Sequence, residues 1–259
     1  MPSLTYHRPK TLDEALALLD DGLPLGGGTW LTPRRSTLTD VIDLQDLDLA
    51  GFEATDRELR FGAGLRLEDL RAHLLTIAPS LAAAVRREMA LNMRHQATLG
   101  GVLHTAGGRS ALLTCLLTTG LTVKVEPGDR QLTLPTLLEK RQERINWLAT
   151  QVVMPRPAAL SFDLVARSPM DLPIVVAAAS RTEADGGQPV YRLALGGYGA
   201  YPMLLAEAGE ALAAGDVQAV GAAAEAAYRQ AGDAWAGAAY RSQVAGVLAR
   251  RVAQEVSAQ

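Results

Sequence analysis

The sequence is poor in cysteine and in long apolar runs, and each shortage argues against a class of protein. Cys115 is the only cysteine among 259 residues, which excludes an intrachain disulfide framework, a cysteine-based zinc site and an iron–sulfur cluster held by this chain alone. No uncharged apolar run approaches the roughly 20 residues that span a bilayer. The N-terminus lacks the apolar stretch of a secretory signal. We therefore predict a cytoplasmic protein with no membrane partner, in which Cys115 is a buried and unreactive thiol.

An excess of charge of one sign is also missing. The net charge of −3 and the isoelectric point near 5.8 argue against a nucleic-acid partner, because nucleic-acid binders carry a basic face. Three isolated arginine pairs are predicted to be solvated surface, namely Arg34–Arg35, Arg86–Arg87 and Arg250–Arg251. The four histidines show no H-x-x-x-H spacing, so we expect no metal site. Aromatic residues make up only 5% of the chain, a composition that favours helices packed on sheets over an all-β sandwich.

Local patterns in the first part of the chain predict alternating helices and strands. Thr11 and Glu14 form a capping-box pattern, which predicts a first helix from about Leu12 to Leu19 or Asp20. Further helices are predicted from Leu67 to Leu74 and from Leu81 to Met89. Buried or alternating apolar runs predict strands at 41–44, 59–61 and 121–125, and Pro127-Gly128 predicts a turn.

Two prolines within three residues, Pro155 and Pro157, predict a boundary between two parts of the chain. Beyond it we predict a strand at 161–166, a helix at 171–180, a turn at Gly186-Gly187, a strand at 191–195 and three alanine-rich helices. The last helix is predicted to pack through an apolar stripe formed by Tyr240, Val244, Val247, Leu248 and Val252.

Two glycine-rich elements, Gly26-Gly-Gly-Thr29 and Thr98-Leu-Gly-Gly101, are the main candidates for chemistry. Neither fits the G-x-G-x-x-G or P-loop pattern, so a nucleotide-binding Rossmann unit is disfavoured. Consecutive glycines nevertheless let backbone N–H groups converge on an anion, because no Cβ blocks its approach. Two such loops facing each other would hold a diphosphate, whereas each alone is typical of an ordinary turn. The residues themselves leave both interpretations open.

The sequence resembles the flavin subunits and domains of the xanthine dehydrogenase and aerobic carbon monoxide dehydrogenase family along nearly its whole length. Leu25-Gly-Gly-Gly-Thr-Trp-Leu31 is similar to the L-A-G-G-T-D-L loop of that family. Met93-Arg-His-Gln-Ala-Thr-Leu-Gly-Gly101 is similar to its I-R-N-x-A-T-x-G-G-N segment, the most specific of the matches. Weaker similarities follow in order along the chain, at Tyr6 and Pro9, Arg167 and Asp171, Gly196 and Gly197, and Tyr240-Arg241.

The resemblance implies an α+β fold in which a two-part FAD-binding domain of the PCMH type precedes a smaller α+β C-terminal domain of the carbon monoxide dehydrogenase flavoprotein type. We expect these domains at 1–156, with subdomains at about 1–55 and 56–156, and at 157–259. The implied FAD diphosphate contacts fall on Gly26, Gly27, Gly28, Thr29, Thr98, Gly100 and Gly101. Trp30 and Ser110 stand where the family has acids, and they complete the set of candidate cofactor-binding residues.

The resemblance also implies a function and partners. The chain would be the FAD-binding electron-transfer subunit of a molybdenum-dependent hydroxylase or dehydrogenase, with no catalytic residue and no metal of its own, because the flavin carries the redox step. Electrons would come from iron–sulfur centres on a small subunit, fed by a large molybdenum-cofactor subunit, in a heterohexamer. They would leave to an acceptor such as NAD, a quinone or oxygen.

Several departures from the family pattern support a different hypothesis. Trp30, Val102, Ser110 and Asp163 replace an acid, an asparagine, an acid and a lysine that are typical of the family. A structural or assembly subunit that has lost its flavin is therefore the alternative. A stand-alone binding module with glycine-rich turns is the third hypothesis, and the ordered similarities argue against it.

Overall fold

The computed structural model describes residues 4–141, 146–184 and 186–259. Its strands are β1 (Thr5–His7), β2 (Leu23–Leu25), β3 (Asp40–Asp43), β4 (Phe52–Ala54), β5 (Glu58–Gly62), β6 (Thr122–Glu126), β7 (Arg130–Thr133), β8 (Leu148–Pro155), β9 (Ala159–Val165), β10 (Val175–Glu183), β11 (Pro189–Gly196) and β12 (Met203–Leu204). Its α-helices are α1 (Leu12–Ala17), α2 (Leu67–Leu74), α3 (Pro79–Glu88), α4 (Leu91–Arg94), α5 (Leu99–Thr105), α6 (Ala111–Thr119), α7 (Leu134–Lys140), α8 (Ala206–Ala213), α9 (Val217–Ala227) and α10 (Ala238–Ala258). A short 3-10 helix covers Thr32–Thr37.

The chain divides into two compact units that do not follow its linear order. The first unit contains Met1–Leu70, Leu91–Thr105 and Leu121–Met154. The second unit contains Arg71–Ala90, Ala106–Gly120 and Pro155–Gln259. The expected division into domains after residue 156 stays a prediction.

The first unit begins with a small parallel sheet in the order β1-β3-β2. The capping box predicted for α1 is present, since the Glu14 N–H donates to Thr11 Oγ1 and the Thr11 N–H donates to the Glu14 carboxylate. The apolar face of the helix packs Ala15 into a cluster with Ile42 of the central strand. The cluster also contains Leu44, whose N–H donates to the Leu25 carbonyl at the end of β2, where the first glycine element starts.

A second sheet in the first unit has the order β4-β5-β8-β6-β7. β6 and β7 pair antiparallel, and the turn between them contains Gly128 and Asp129, both with positive φ. The strands predicted at 59–61 and 121–125 and the turn at Pro127-Gly128 are confirmed.

The second unit is built on an antiparallel sheet in the order β12-β11-β10-β9, against which α8, α9 and α10 bury a common core. The helix predicted at 171–180 is wrong, because Val175–Glu183 forms the strand β10 between β9 and β11. Its apolar run is uninterrupted since the strand is covered on both faces, and such a run carries no periodicity to separate strand from helix. The strands predicted at 161–166 and 191–195 and the three alanine-rich helices are confirmed.

The packing face of α10 differs from the predicted apolar stripe. Leu248 and Val252 are buried, but Tyr240 is 48% exposed and Val247 is 36% exposed. The remaining buried positions of the helix include the small residues Ala245, Gly246, Ala249 and Ala253. Small side chains let α10 approach α9 and the sheet closely, so van der Waals packing selects a face that hydrophobicity alone does not identify.

A buried cation ties α10 to the rest of the second unit. Arg241 is 0% exposed, and its guanidinium donates to the carbonyl oxygens of Ile174, Ala231 and Ala236 at 2.8–3.2 Å. It also donates to both carboxylate oxygens of Asp233, at 2.8 and 2.9 Å. The guanidinium is therefore fully paired, as a buried charge requires.

Cys115 lies in α6, in which every residue is buried. Burial, with a further contribution from the negative charge of Glu88, raises the pKa of the thiol well above its ordinary value. The prediction of a buried thiol is confirmed. Among the described helices, none is long and apolar enough to cross a membrane.

Candidate functional site

The first glycine element is a loop between β2 and the 3-10 helix. Its start is fixed by the bond from the Leu44 N–H to the Leu25 carbonyl, at 3.0 Å. Its end is fixed by the bond from the Thr32 N–H to the Gly28 carbonyl, at 2.9 Å. Gly28 has φ +71°, a conformation that glycine adopts without steric cost. We call residues 26–30 the glycine loop.

The backbone donors of the glycine loop are free. None of the N–H groups of Gly26, Gly27, Gly28, Thr29 and Trp30 donates to an acceptor within the described parts of the chain. The loop is exposed or half-buried, so these five N–H groups are open to water or to a ligand. Successive unpaired N–H groups in a loop form the kind of concavity that binds phosphate and other anions.

The second glycine element is the beginning of a helix rather than a loop. Its Gly100 N–H donates to the Ala63 carbonyl at 2.7 Å, and the Leu99 N–H donates to the Leu65 carbonyl at 2.9 Å. The Gly101 N–H donates to Thr98 Oγ1 at 3.2 Å. The Gly100 and Gly101 N–H groups therefore have acceptors within the protein, and their contact with a flavin diphosphate stays a prediction. Gly100 allows the helix backbone to approach the Ala63 backbone closely, since a Cβ at Gly100 would lie 2.9 Å from the Ala63 carbonyl oxygen.

The structure brings the two glycine elements together. A Cβ placed on Gly26 would lie 2.6 Å from Thr98 Oγ1, and one placed on Gly101 would lie 3.1 Å from the same oxygen. A Cβ on Gly27 would lie only 1.7 Å from the Gln96 carbonyl oxygen. Thr98 is buried and stands between the two elements. Gly27 and Gly100 thus allow a close approach of backbones, whereas Gly26 and Gly101 leave room for the Thr98 side chain. The assignment of these residues to a flavin site stays a prediction.

Trp30 projects from the glycine loop and carries a cation on its ring. Its side chain is 41% exposed, and Arg34 Cζ lies 4.1 Å from the ring centroid. Arg34 also donates through Nη1 to the Trp30 carbonyl at 2.7 Å. Arg34 is exposed, as predicted, although its guanidinium packs on the Trp30 ring. The only sequence signal for this contact is the spacing of four residues between the two side chains, and its detection requires the backbone to turn between them.

Ser110 belongs to the second unit, whereas the two glycine elements belong to the first. Its hydroxyl oxygen caps α6 by accepting the Leu113 N–H at 2.9 Å, and its O–H donates to Glu88 at 2.8 Å. Burial raises the pKa of the Glu88 carboxyl, while the bonds from Ser110 and the Leu112 backbone partly offset that effect. Every polar function of Ser110 is therefore used within the second unit. Its cofactor-binding role stays a prediction, and the helix cap and the bond to Glu88 already explain the position of its side chain.

Two other departures from the family pattern have structural roles as well. Val102 is 3% exposed and packs within α5 into the core of the first unit. Asp163 accepts a hydrogen bond from Arg251 at 3.1 Å in an exposed ion pair of the second unit. Both residues therefore have a structural role without a ligand.

The histidine of α5 is part of the scaffold. His104 Nδ1 lies 2.8 Å from the Gly100 carbonyl oxygen, and its ring lies 5.0 Å from the Trp147 ring. Burial lowers the pKa of His104, which favours the neutral ring. The described part of the chain holds no group of three or more His, Cys, Asp or Glu side chains that could bind a metal ion.

A separate depression of the first unit is lined partly by Asp48, Arg60, Lys124 and Gln151. Arg60 is paired with Glu58 and Lys124 with Asp129, so its two cations already have carboxylate partners. This depression does not include the glycine loop.

Comparison with known families decides the membership of the chain. Residues 2–157 match the family model described as the FAD binding domain in molybdopterin dehydrogenase. The chain belongs to this family. Residues 160–256 match the CO dehydrogenase flavoprotein C-terminal domain. Both matches confirm the family predicted from the glycine elements and the predicted α+β fold class of an FAD-binding domain followed by a C-terminal flavoprotein domain.

Individual proteins are similar to this chain over most of its length. The carbon monoxide dehydrogenase medium chain of Afipia carboxidovorans is 29% identical over 292 aligned positions, which cover 99% of this chain and 97% of the relative. The uncharacterized protein YgfM of Escherichia coli is 30% identical over 203 residues, 74% of this chain and 73% of the relative. The reconstituted CO dehydrogenase from Oligotropha carboxidovorans superposes with a TM-score of 0.84 at 24% identity, over 100% of this chain and 99% of the matched chain. This last similarity shows the fold.

Proposed function

We propose that the chain is the FAD-binding electron-transfer subunit of a molybdenum-dependent hydroxylase or dehydrogenase. Within that complex it takes electrons from iron–sulfur centres on a small partner subunit. Those centres receive the electrons from a large subunit that holds the molybdenum cofactor. It passes them to an external acceptor. The assembly is a heterohexamer, and its location is cytoplasmic.

The free amides of the glycine loop carry this proposal. Five consecutive backbone donors lack a protein acceptor in the described residues, and they lie in the segment that matches an FAD-binding family. A diphosphate has several anionic oxygens that accept such bonds, and hydrogen bonds to charged acceptors are the stronger kind. The Gln96 backbone and the Thr98 side chain lie so close to the loop that a Cβ at Gly27 or Gly26, respectively, would clash with them. The donors are therefore held in place before the ligand arrives.

The residues present fit the diphosphate part of FAD. Its oxygens would accept hydrogen bonds from the backbone N–H groups of Gly26, Gly27, Gly28 and Thr29. The Thr98 side chain would support the loop through its close packing against Gly26. Bound FAD supplies the redox chemistry, because flavin cofactors carry electron and hydride transfer themselves. The chain contributes binding and orientation.

A flavin-depleted structural or assembly subunit of the same kind of complex is the second candidate. This candidate is favoured because three of the residues that depart from the family pattern already have structural roles. Ser110 caps a helix, Val102 packs in the core and Asp163 forms an ion pair. Losing a charged hydrogen bond costs about 1–3 kcal/mol. A site that keeps only the diphosphate contacts would then bind FAD more weakly by about one to two powers of ten for each lost contact.

The visible spectrum of the purified full-length chain distinguishes the two candidates. The first candidate predicts flavin absorption bands and the release of FAD on denaturation, or uptake of FAD added to a colourless preparation. A colourless protein that takes up no added FAD would contradict the first candidate and support the second.

Co-expression with candidate small and large subunits tests the partner assignment. We expect all three chains to co-purify, with the mass of a heterohexamer by light scattering. A chain that remains alone in the presence of both subunits would contradict the assignment to a complex. Such a result, together with bound FAD, would indicate a stand-alone flavoprotein.

A further inference from the structure

We propose that Arg34 is an additional binding residue for the diphosphate. This inference rests on the proposed function, because it concerns the same ligand. It adds a residue that lies outside both glycine elements. The ligand class is a nucleoside diphosphate group, as in FAD or ADP.

The position of Arg34 is fixed by two contacts with the glycine loop itself. Its Nη1 donates to the Trp30 carbonyl at 2.7 Å, and its Cζ lies 4.1 Å from the Trp30 ring centroid. The first contact attaches the guanidinium to the backbone that also presents the free amides. The second places it against an aromatic face, which attracts cations. The cation is thus held at the loop although its side chain is exposed.

Most of the hydrogen-bonding capacity of this guanidinium is unused. Arginine has five N–H donors, and the Trp30 carbonyl is the only hydrogen-bond acceptor of Arg34 in the described residues. The planar arrangement of the remaining donors matches two oxygens of a phosphate group. The Arg34 guanidinium therefore adds side-chain donors to the free backbone N–H groups of the glycine loop.

The local charge also favours an anion. Residues 26–37, which comprise the glycine loop and the 3-10 helix after it, contain two arginines and no aspartate or glutamate. Trp30 stands where the family has an acid, so the segment holds no carboxylate that would compete for the guanidinium. Arg35 is also exposed, but its side chain makes no hydrogen bond, ion pair or cation–π contact with another described residue, which makes it a matched control.

The test compares FAD and ADP binding by the full-length unmodified chain, Arg34→Met and Arg35→Met, using equilibrium dialysis. Each variant removes one exposed cation from the same 3-10 helix. We expect Arg34→Met to bind both ligands about tenfold more weakly, equivalent to ~1.4 kcal/mol. Arg35→Met should stay within about twofold of the unmodified chain. Raising KCl from about 50 to about 300 mM should weaken binding by the unmodified chain more than binding by Arg34→Met, because salt screens the exposed charge.

Thermal melting of each variant checks that the loop still folds. If Arg34→Met melts earlier than Arg35→Met, Arg34→Lys replaces it; we then expect a loss of about threefold, since lysine keeps the charge without the planar donors. Equal affinities of the Arg34 variants, Arg35→Met and the unmodified chain would overturn the inference and leave the proposed function standing. Failure of the unmodified chain to bind FAD would overturn both.

Discussion

Replacing Gly27 with alanine tests the contact between the two glycine elements. The new Cβ would lie 1.7 Å from the Gln96 carbonyl oxygen, 2.5 Å from its carbonyl carbon and 3.1 Å from Ala97 Cα. Ordinary van der Waals contact begins at 3.4 Å, so the two backbones would have to separate substantially. All three neighbours are backbone atoms, and no side chain can rotate to make room.

The expected result is a loss of both stability and ligand affinity. Forcing an extra carbon into a packed region costs about 1–3 kcal/mol, and we expect Gly27→Ala to fall in this range. The displaced loop would no longer present its amides in register, so FAD should bind at least about tenfold more weakly, or ~1.4 kcal/mol. Urea denaturation measures the first effect, and equilibrium dialysis with FAD measures the second.

Gly51→Ala is the matched control within the same unit. A Cβ at Gly51 has no atom within 4 Å, and its backbone is not in the left-handed region. This variant should keep its affinity and gain up to about 1 kcal/mol of stability, because alanine restricts the unfolded chain. If Gly27→Ala behaved like Gly51→Ala in both assays, the two elements would not be in contact as described.

Three further predictions concern the second unit. Burial raises the pKa of the Glu88 carboxyl above its ordinary value of 4.5, so the folded state binds this proton more tightly than the unfolded state does. The stability that protonation contributes is fully present below pH 4.5. It is lost as the pH rises through the pKa of the folded state. Glu88→Gln should therefore gain stability relative to the unmodified chain between pH 4.5 and neutrality, and a difference independent of pH would refute this. Asp233→Ala, which removes the carboxylate paired with buried Arg241, should cost about 2–3 kcal/mol in urea denaturation. Asp163→Ala removes an exposed pair and should cost less than about 1 kcal/mol, so equal losses would contradict the burial argument. Cys115 should resist a thiol reagent until the protein unfolds, and rapid modification of the native protein would show that its burial is wrong.

Local signals made the first helix predictable from sequence. The Thr11–Glu14 capping box is a reciprocal interaction between residues three apart, and the structure contains both of its bonds. The strand β10 was predicted as a helix because its conformation is set by β9 and β11, which flank it in the sheet. Such pairing is not encoded in an apolar run that lacks alternation.

The candidate site was predictable only in part for the same reason. Glycine positions are visible in a sequence, and the close approach at Gly27 agrees with the absence of a Cβ. Which amides are free depends on distant partners: the Gly100 N–H bonds to Ala63, a residue far away in the chain. The Arg34–Trp30 contact likewise depends on the turn that joins the loop to the 3-10 helix. Sequence patterns located the loops, and only the fold assigns their donors.

The central claim is that the free amides of residues 26–30 bind a diphosphate. Competition binding with FAD, ADP and riboflavin tests it most directly, because the three ligands separate the diphosphate from the flavin ring. We expect that FAD binds, that ADP displaces FAD and that riboflavin does not displace it. Displacement by riboflavin but not by ADP, or no binding of FAD at all, would contradict it.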